Sequence, residues 1–225
     1  MEKRIFYSWQ SDLPNNSNRG FINTALEKAI QEINAEDDFS LIPFLDRDTA
    51  GVSGSPDISG SIFEKIRNSD TFVCDVSIIN AHAGNFARPS PNPNVLIELG
   101  YAIGILDWSR IIMIMNEHFG DVGMLPFDLR GRRVLLYSID PSSSEKALEK
   151  KKVSSILKSG IMEILLSTDN LDKQASLRYK TLKSVTYVPQ KNEGLIEYAK
   201  EYIKLDRYDL AVLFAAETTY VPQKK

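Results

Sequence analysis

Glu98 is the residue of this sequence best placed for chemistry: it is the lone acid in Val95-Leu96-Ile97-Glu98-Leu99-Gly100-Tyr101-Ala102, a run otherwise apolar or small. A carboxylate in such surroundings costs desolvation energy, and its pKa is raised unless it is paired or opens onto a cleft. It reads either as a structural group bonded to a neighbouring loop or as a functional acid, because ion-pair networks perturb carboxylates as active sites do. On a helix, the positions stacked on Glu98 at spacings of three and four are Asn94, Val95, Tyr101 and Ala102, so Asn94 and Tyr101 are candidate binding residues beside it. Tyr7, Ser8 and Trp9 close one apolar run, Asp46-Arg47-Asp48 closes the next, and Asp75 closes a third. If those runs are parallel strands, all these groups meet at the carboxyl edge of a sheet, where nucleotide-like ligands bind in open α/β folds. Each has a second reading: Tyr7 and Trp9 as core filler, the charged triplet as a solvated loop, Asp75 as the cap of the loop after it.

The elements that must position these groups are legible from periodicity. Ile5-Phe6-Tyr7-Ser8-Trp9 is a β-branched and aromatic run stopped by the polar stretch 10–18, which contains Pro14. From Gly20, the apolar residues Phe21, Ile22, Ala25, Leu26, Ala29, Ile30 and Ile33 recur at helical spacing, predicting a helix over about 20–35. Residues 39–44 predict a second strand and 58–66 a second helix that Asp57 can cap. Residues 71–76 form a nearly continuous apolar strand of the kind covered by helices on both faces. Asn92 as N-cap and Pro93 at the first helical position start the helix that carries Glu98, and strands come next over 110–115 and 133–137. Alternation of strand and helix predicts a doubly wound, flavodoxin-like α/β domain over residues 1–140 with a five-stranded parallel sheet. Beyond Asp140 the pattern turns helical, and residues 141–225 are expected to form a C-terminal extension. Its long helix spans 143–166 with Leu148, Val153, Ile156, Leu157, Ile161, Ile164 and Leu165 inward, and a helical pair covers 193–205 and 207–217. The hexapeptide Thr-Tyr-Val-Pro-Gln-Lys occurs at 186–191 and again at 219–224, at the offset of a helical-hairpin repeat, but arrays of such units need three or more copies.

Charge and composition exclude several classes of function. Residues 1–140 carry 12 Lys and Arg against 19 Asp and Glu, and residues 141–225 carry 15 against 11. An acidic first domain argues against a direct grip on the phosphate backbone of nucleic acid. Cys74 is the only cysteine, and His82 and His118 stand alone, so neither a disulfide framework nor a Cys/His metal site is expected. The chain lacks a leader-like h-region and any run near the roughly 18 apolar residues of a membrane span, so a cytoplasmic protein is expected.

Four segments together resemble TIR domains. Arg47-Asp48-Thr49-Ala50-Gly51 resembles the second conserved box, with Ala50 where proline is usual; Ile5-Phe6-Tyr7-Ser8-Trp9 resembles the first; and Leu125-Pro126-Phe127 falls where the third lies. The most specific match is Pro91-Asn92-Pro93-Asn94-Val95-Leu96-Ile97-Glu98-Leu99-Gly100-Tyr101-Ala102, which is similar to the glutamate helix of bacterial TIR-like effectors of antiphage defence. The resemblance covers residues 3–138. It implies cleavage of the N-glycosidic bond of NAD⁺, bound as substrate and with no cofactor, releasing nicotinamide and leaving ADP-ribose or a cyclised isomer. Glu98 would be the catalytic carboxylate that stabilises an oxocarbenium-like ribose. Tyr7, Ser8 and Trp9 would line the nicotinamide-ribose end, while the loop from Arg47 to Pro56, with Arg47 and Asp48 at its start, would move to admit substrate and contact a neighbouring subunit; Asp75, Asn94 and Tyr101 remain substrate-binding candidates from their positions alone. The family further implies self-association, adjacent subunits completing the site, while nothing in the residues of the extension chooses among sensing, tethering a partner protein and braking. Two other readings stay open. Nucleoside 2-deoxyribosyltransferases carry a Glu-Leu-Gly-Tyr-Ala segment similar to Glu98–Ala102, with the acid as covalent nucleophile, and a non-catalytic TIR adaptor would leave Glu98 structural.

Overall fold

The computed structural model describes residues 1–46, 58–81 and 88–184, with side chains throughout except at 58–59 and 172–184. Five strands, β1 (Glu2–Ser8), β2 (Ile42–Asp46), β3 (Thr71–Asp75), β4 (Ile111–Asn116) and β5 (Val134–Tyr137), form one sheet in the order β2-β1-β3-β4-β5. Every pairing is parallel. Helices α1 (Arg19–Asn34), α2 (Ile58–Arg67), α3 (Pro93–Leu106) and the short α4 (Phe127–Arg130) lie between the strands, and α5 (Lys146–Ser184) comes after β5. The doubly wound α/β architecture is the one the alternating pattern predicts. From β1 the chain first adds β2 on one side and then returns to add β3 on the other, so the winding direction reverses between β1 and β3. In open α/β sheets a crevice opens outside the carboxyl ends of the strands at such a reversal.

Successive residues of β1 point to opposite faces of the sheet. Ile5 and Tyr7 join the core beneath α1 and α5, with Phe21, Ile22, Leu26, Val73 and Tyr137. Phe6 belongs to the core on the other face, with Phe72, Cys74, Val95, Leu99 and Ala102 beneath α2 and α3. Cys74 is fully buried, and burial pushes its thiol pKa well up, as suits a small core hydrophobe.

The first compact unit runs from Met1 to Leu171 and so takes in the start of α5, and Asp172–Lys225 form the second. The reason lies in α5: Val153, Leu157, Ile161 and Leu165 recur every four residues and are buried in the same core as Ile114, Tyr137 and Ile139. A five-stranded sheet is too wide for α1 alone to cover, and the start of α5 closes that face. Leu148 and Ile156 lie outside this row, 59% and 49% exposed. Strand β2 begins at Ile42 instead of residue 39 and runs through Pro43, which pairs with Lys3. Proline is tolerated there because β2 is an edge strand, whose outer side needs no donor. The helical pair at 193–205 and 207–217, both copies of the hexapeptide, His82 and the capping position Asp57 lie outside the described residues. No helix among the described residues is long and apolar enough to cross a membrane.

Candidate functional site at the carboxyl end of β1

Glu98 stands in the second turn of α3, and the start of that helix is set by one side chain. Asn92 Oδ1 accepts hydrogen bonds from the backbone N–H groups of Asn94 (2.8 Å) and Val95 (3.3 Å), with Pro93 as the first helical residue. Its Nδ2 donates to Asp12 Oδ2 at 2.6 Å, tying the helix start to the loop after β1. Asn92→Ala removes both functions, and a loss of about 1 kcal/mol in unfolding free energy is expected by urea titration.

Ser8, the last residue of β1, points to the same face as Phe6 and therefore toward α3. Its hydroxyl donates to Glu98 Oε2 at 2.6 Å. Ser8 is 1% exposed, whereas Glu98 is half-buried and opens onto a cleft of about 250 Å³. Trp9, Gln10, Asn94 and Ile62 border this cleft with them. The acid thus meets both conditions that make a carboxylate tolerable on an apolar helix: a hydrogen-bond donor fixes one oxygen, and the cleft lets solvent or a ligand reach the group.

The other candidates divide. Tyr7 borders the cleft, but its ring is packed into the α1-side core. Its hydroxyl has no hydrogen-bond partner among the described residues, and burial, then the charge of Asp75, push its pKa well up. Trp9 is half-buried at the rim, with the Arg19 guanidinium 3.3 Å from its ring centroid. Asn94 is exposed on the cleft's edge.

Tyr101 does not border the cleft. Its ring packs on Phe63 with centroids 4.7 Å apart, and its hydroxyl accepts from Arg67 Nη2 (2.9 Å) and Nε (3.1 Å), so it staples α3 to α2. Arg47 and Asp48 lie outside the described residues. Their neighbour Asp46 is paired with Lys65 at 2.7 Å and Arg4 at 3.3 Å.

Asp75 does not border the cleft either; it organises the layer beneath. It is fully buried and accepts from the Ser77 hydroxyl (2.5 Å), Ser77 N–H (3.0 Å), Gln10 Nε2 (3.1 Å) and Asn18 Nδ2 (3.4 Å). Desolvation raises its pKa, and the donated hydrogen bonds pull back without cancelling that rise. Of its two readings, the capping one is what the geometry displays. Gln10, which in the sequence is one more residue of a polar stretch, is the link upward: it is 2% exposed, borders the cleft, and accepts from Leu13 N–H at 2.9 Å through Oε1 while donating to Asp75. The only local signal for it is an amide immediately after a buried strand.

No protein-family model matches the sequence, and no curated protein matches it. Among solved structures the chain is similar to a metal-soaked Flv1 flavodiiron core from Synechocystis sp. PCC6803, with 11% identity and a TM-score of 0.42 over 76% of this chain and 36% of that one. It is also similar to FerB, a flavoenzyme NAD(P)H:(acceptor) oxidoreductase from Paracoccus denitrificans, with 11% identity and a TM-score of 0.33 over 72% of this chain and 96% of that one. The chain spans about a third of the flavodiiron core's length.

Proposed function

We propose that this chain cleaves the N-glycosidic bond of NAD⁺, with Glu98 as the catalytic carboxylate. The observation that carries the reading is the pair Ser8–Glu98, a carboxylate held at 2.6 Å by the last hydroxyl of β1 and open to the crevice at the reversal of strand order. The resemblance of the segment 91–102 to the glutamate helix of TIR-like effectors supports the same reading.

The chemistry asks little more of the protein. The bond from ribose C1′ to the pyridinium nitrogen breaks with its electron pair going to nitrogen, so nicotinamide leaves neutral and no strong general acid is required. Positive charge then develops on C1′ and the ring oxygen. A carboxylate preorganised beside the ribose stabilises that charge without reorganising at the moment of reaction. Water adding to C1′ and losing a proton yields ADP-ribose; attack by a nucleophilic atom of the same molecule yields a cyclic isomer. Ser8 acts by holding Glu98 Oε2 in place. Ser8→Ala is expected to lower kcat about tenfold with little change in KM, the worth of one hydrogen bond to a charged group.

The test is to incubate the full chain with NAD⁺ at high protein concentration, where self-association is favoured, and to separate nicotinamide, ADP-ribose and cyclic standards by chromatography. Nicotinamide release by the wild type and not by Glu98→Gln supports the reading. Exchange of one base for another on a deoxyribonucleoside, without NAD⁺ turnover, assigns Glu98 to a transferase. No turnover of either at any concentration removes the catalytic role.

A further inference from the structure

We infer that Arg19, stacked on Trp9, recognises a phosphate of the substrate, so that the cleft selects a nucleotide over the corresponding nucleoside. The inference rests on the proposed cleavage of a ribosyl bond at Glu98 and adds what holds the far side of that ribose.

Ser8 and Trp9 are consecutive residues joined by a trans peptide, with Cα atoms about 3.8 Å apart. Their side chains leave the sheet toward opposite faces, Ser8 to Glu98 and Trp9 to Arg19. A carboxylate suited to the anomeric carbon and a guanidinium suited to an anion therefore flank one strand end. Among the described residues, Arg19 is the only basic one bordering either this cleft or the neighbouring depression of about 460 Å³, which meets the cleft at Ser11. It has no carboxylate partner among the described residues, and its contact is the indole face. Stacking orients the planar fork before any ligand arrives and leaves its edge donors to bind phosphate oxygens in pairs. Asp12, the acid of that depression, is engaged by Asn92 at 2.6 Å, which draws its charge toward α3.

The experiment compares NAD⁺, nicotinamide mononucleotide and nicotinamide riboside as substrates of the wild type, Arg19→Gln and Arg19→Lys. In parallel, calorimetry measures ADP-ribose binding to Glu98→Gln with and without Arg19→Gln. The wild type is expected to favour both phosphorylated substrates over the riboside in kcat/KM by about tenfold or more. Arg19→Gln should collapse that ratio toward one through KM, Arg19→Lys should restore part of it, and ADP-ribose should bind about tenfold more weakly without Arg19. A ratio unmoved by Arg19→Gln, an equal loss on all three substrates, or ADP-ribose binding indifferent to Arg19 overturns the inference. If nothing is cleaved, the cleavage reading fails and calorimetry alone decides the phosphate site; if cleavage needs Glu98 but ignores the phosphate, the phosphate site fails alone.

Discussion

Glu98→Gln is expected to lower nicotinamide release from NAD⁺ by about 10³-fold while leaving the fold intact, read as kcat by chromatography and as Tm by circular dichroism. The substitution keeps the length and shape of the side chain and keeps a carbonyl oxygen for the Ser8 hydroxyl to donate to, so the observed 2.6 Å contact has a successor. What disappears is the negative charge facing the ribose, and removing one preorganised electrostatic stabiliser typically costs about 10²–10³ in kcat. Ser8→Ala removes only the anchor of that charge, and its effect is correspondingly smaller. In the double variant the Ser8 change should add almost nothing, because a hydroxyl that works by holding a carboxylate has no work left once the charge is gone. A structural Glu98 predicts near-normal turnover in all three variants, with the loss of the charge-assisted hydrogen bond read in Tm alone. Measuring kcat on the same four proteins therefore separates the two roles, with Tm showing that each is folded.

What the sequence discloses here is what is local. Asn92 and Pro93 announce the helix of Glu98 because capping is decided within four residues, and the strands announce themselves as apolar runs bounded by polar turns. Face and partner are harder. Both faces of β1 are covered, so Ile5, Phe6 and Tyr7 are all buried and no alternation marks Ser8 as facing α3 and Tyr7 as facing α1. Tyr101 comes three residues after Glu98, close along the helix surface but about 60° around it, which is enough to hand it to Phe63 and Arg67 instead of the cleft. In α5 the apolar residues outnumber those the core accepts; among the described side chains the row Val153, Leu157, Ile161, Leu165 is the one fully buried against the sheet, and nothing local ranks it above Leu148 or Ile156. The pair Ser8–Glu98 joins residues 90 apart in the chain, and Gln10–Asp75 joins residues 65 apart. Each partner is visible as a residue type, while the bond depends on how β1, β3 and α3 are packed.

Asp75→Ala is expected to destabilise the first compact unit by about 3 kcal/mol, because three buried donors, the Ser77 N–H, the Ser77 hydroxyl and Gln10 Nε2, lose their acceptor at a cost of about 1 kcal/mol or more each. In a unit of this size that is a fall in Tm of about 6–12 °C, against about 2–4 °C for the loss of the Asn92 cap. Turnover should suffer as well, since Gln10 borders the cleft and positions the Leu13 N–H of the loop above it. The pH dependence distinguishes this acid from an ordinary paired carboxylate. Burial raises the folded-state pKa of Asp75 above its unfolded value near 3.8, so the folded state binds the proton more tightly. Its protonation term is fully present below about pH 3.8 and is lost as pH rises through the folded pKa, the opposite of a carboxylate whose pKa is depressed on folding. Asp75→Asn cannot titrate. The stability of the wild type relative to Asp75→Asn should therefore be greatest at acid pH and decline as pH rises. A relative stability that grows with pH would mean that the four donated hydrogen bonds outweigh desolvation, and that Asp75 is held as an anion whose charge the cleft above it feels.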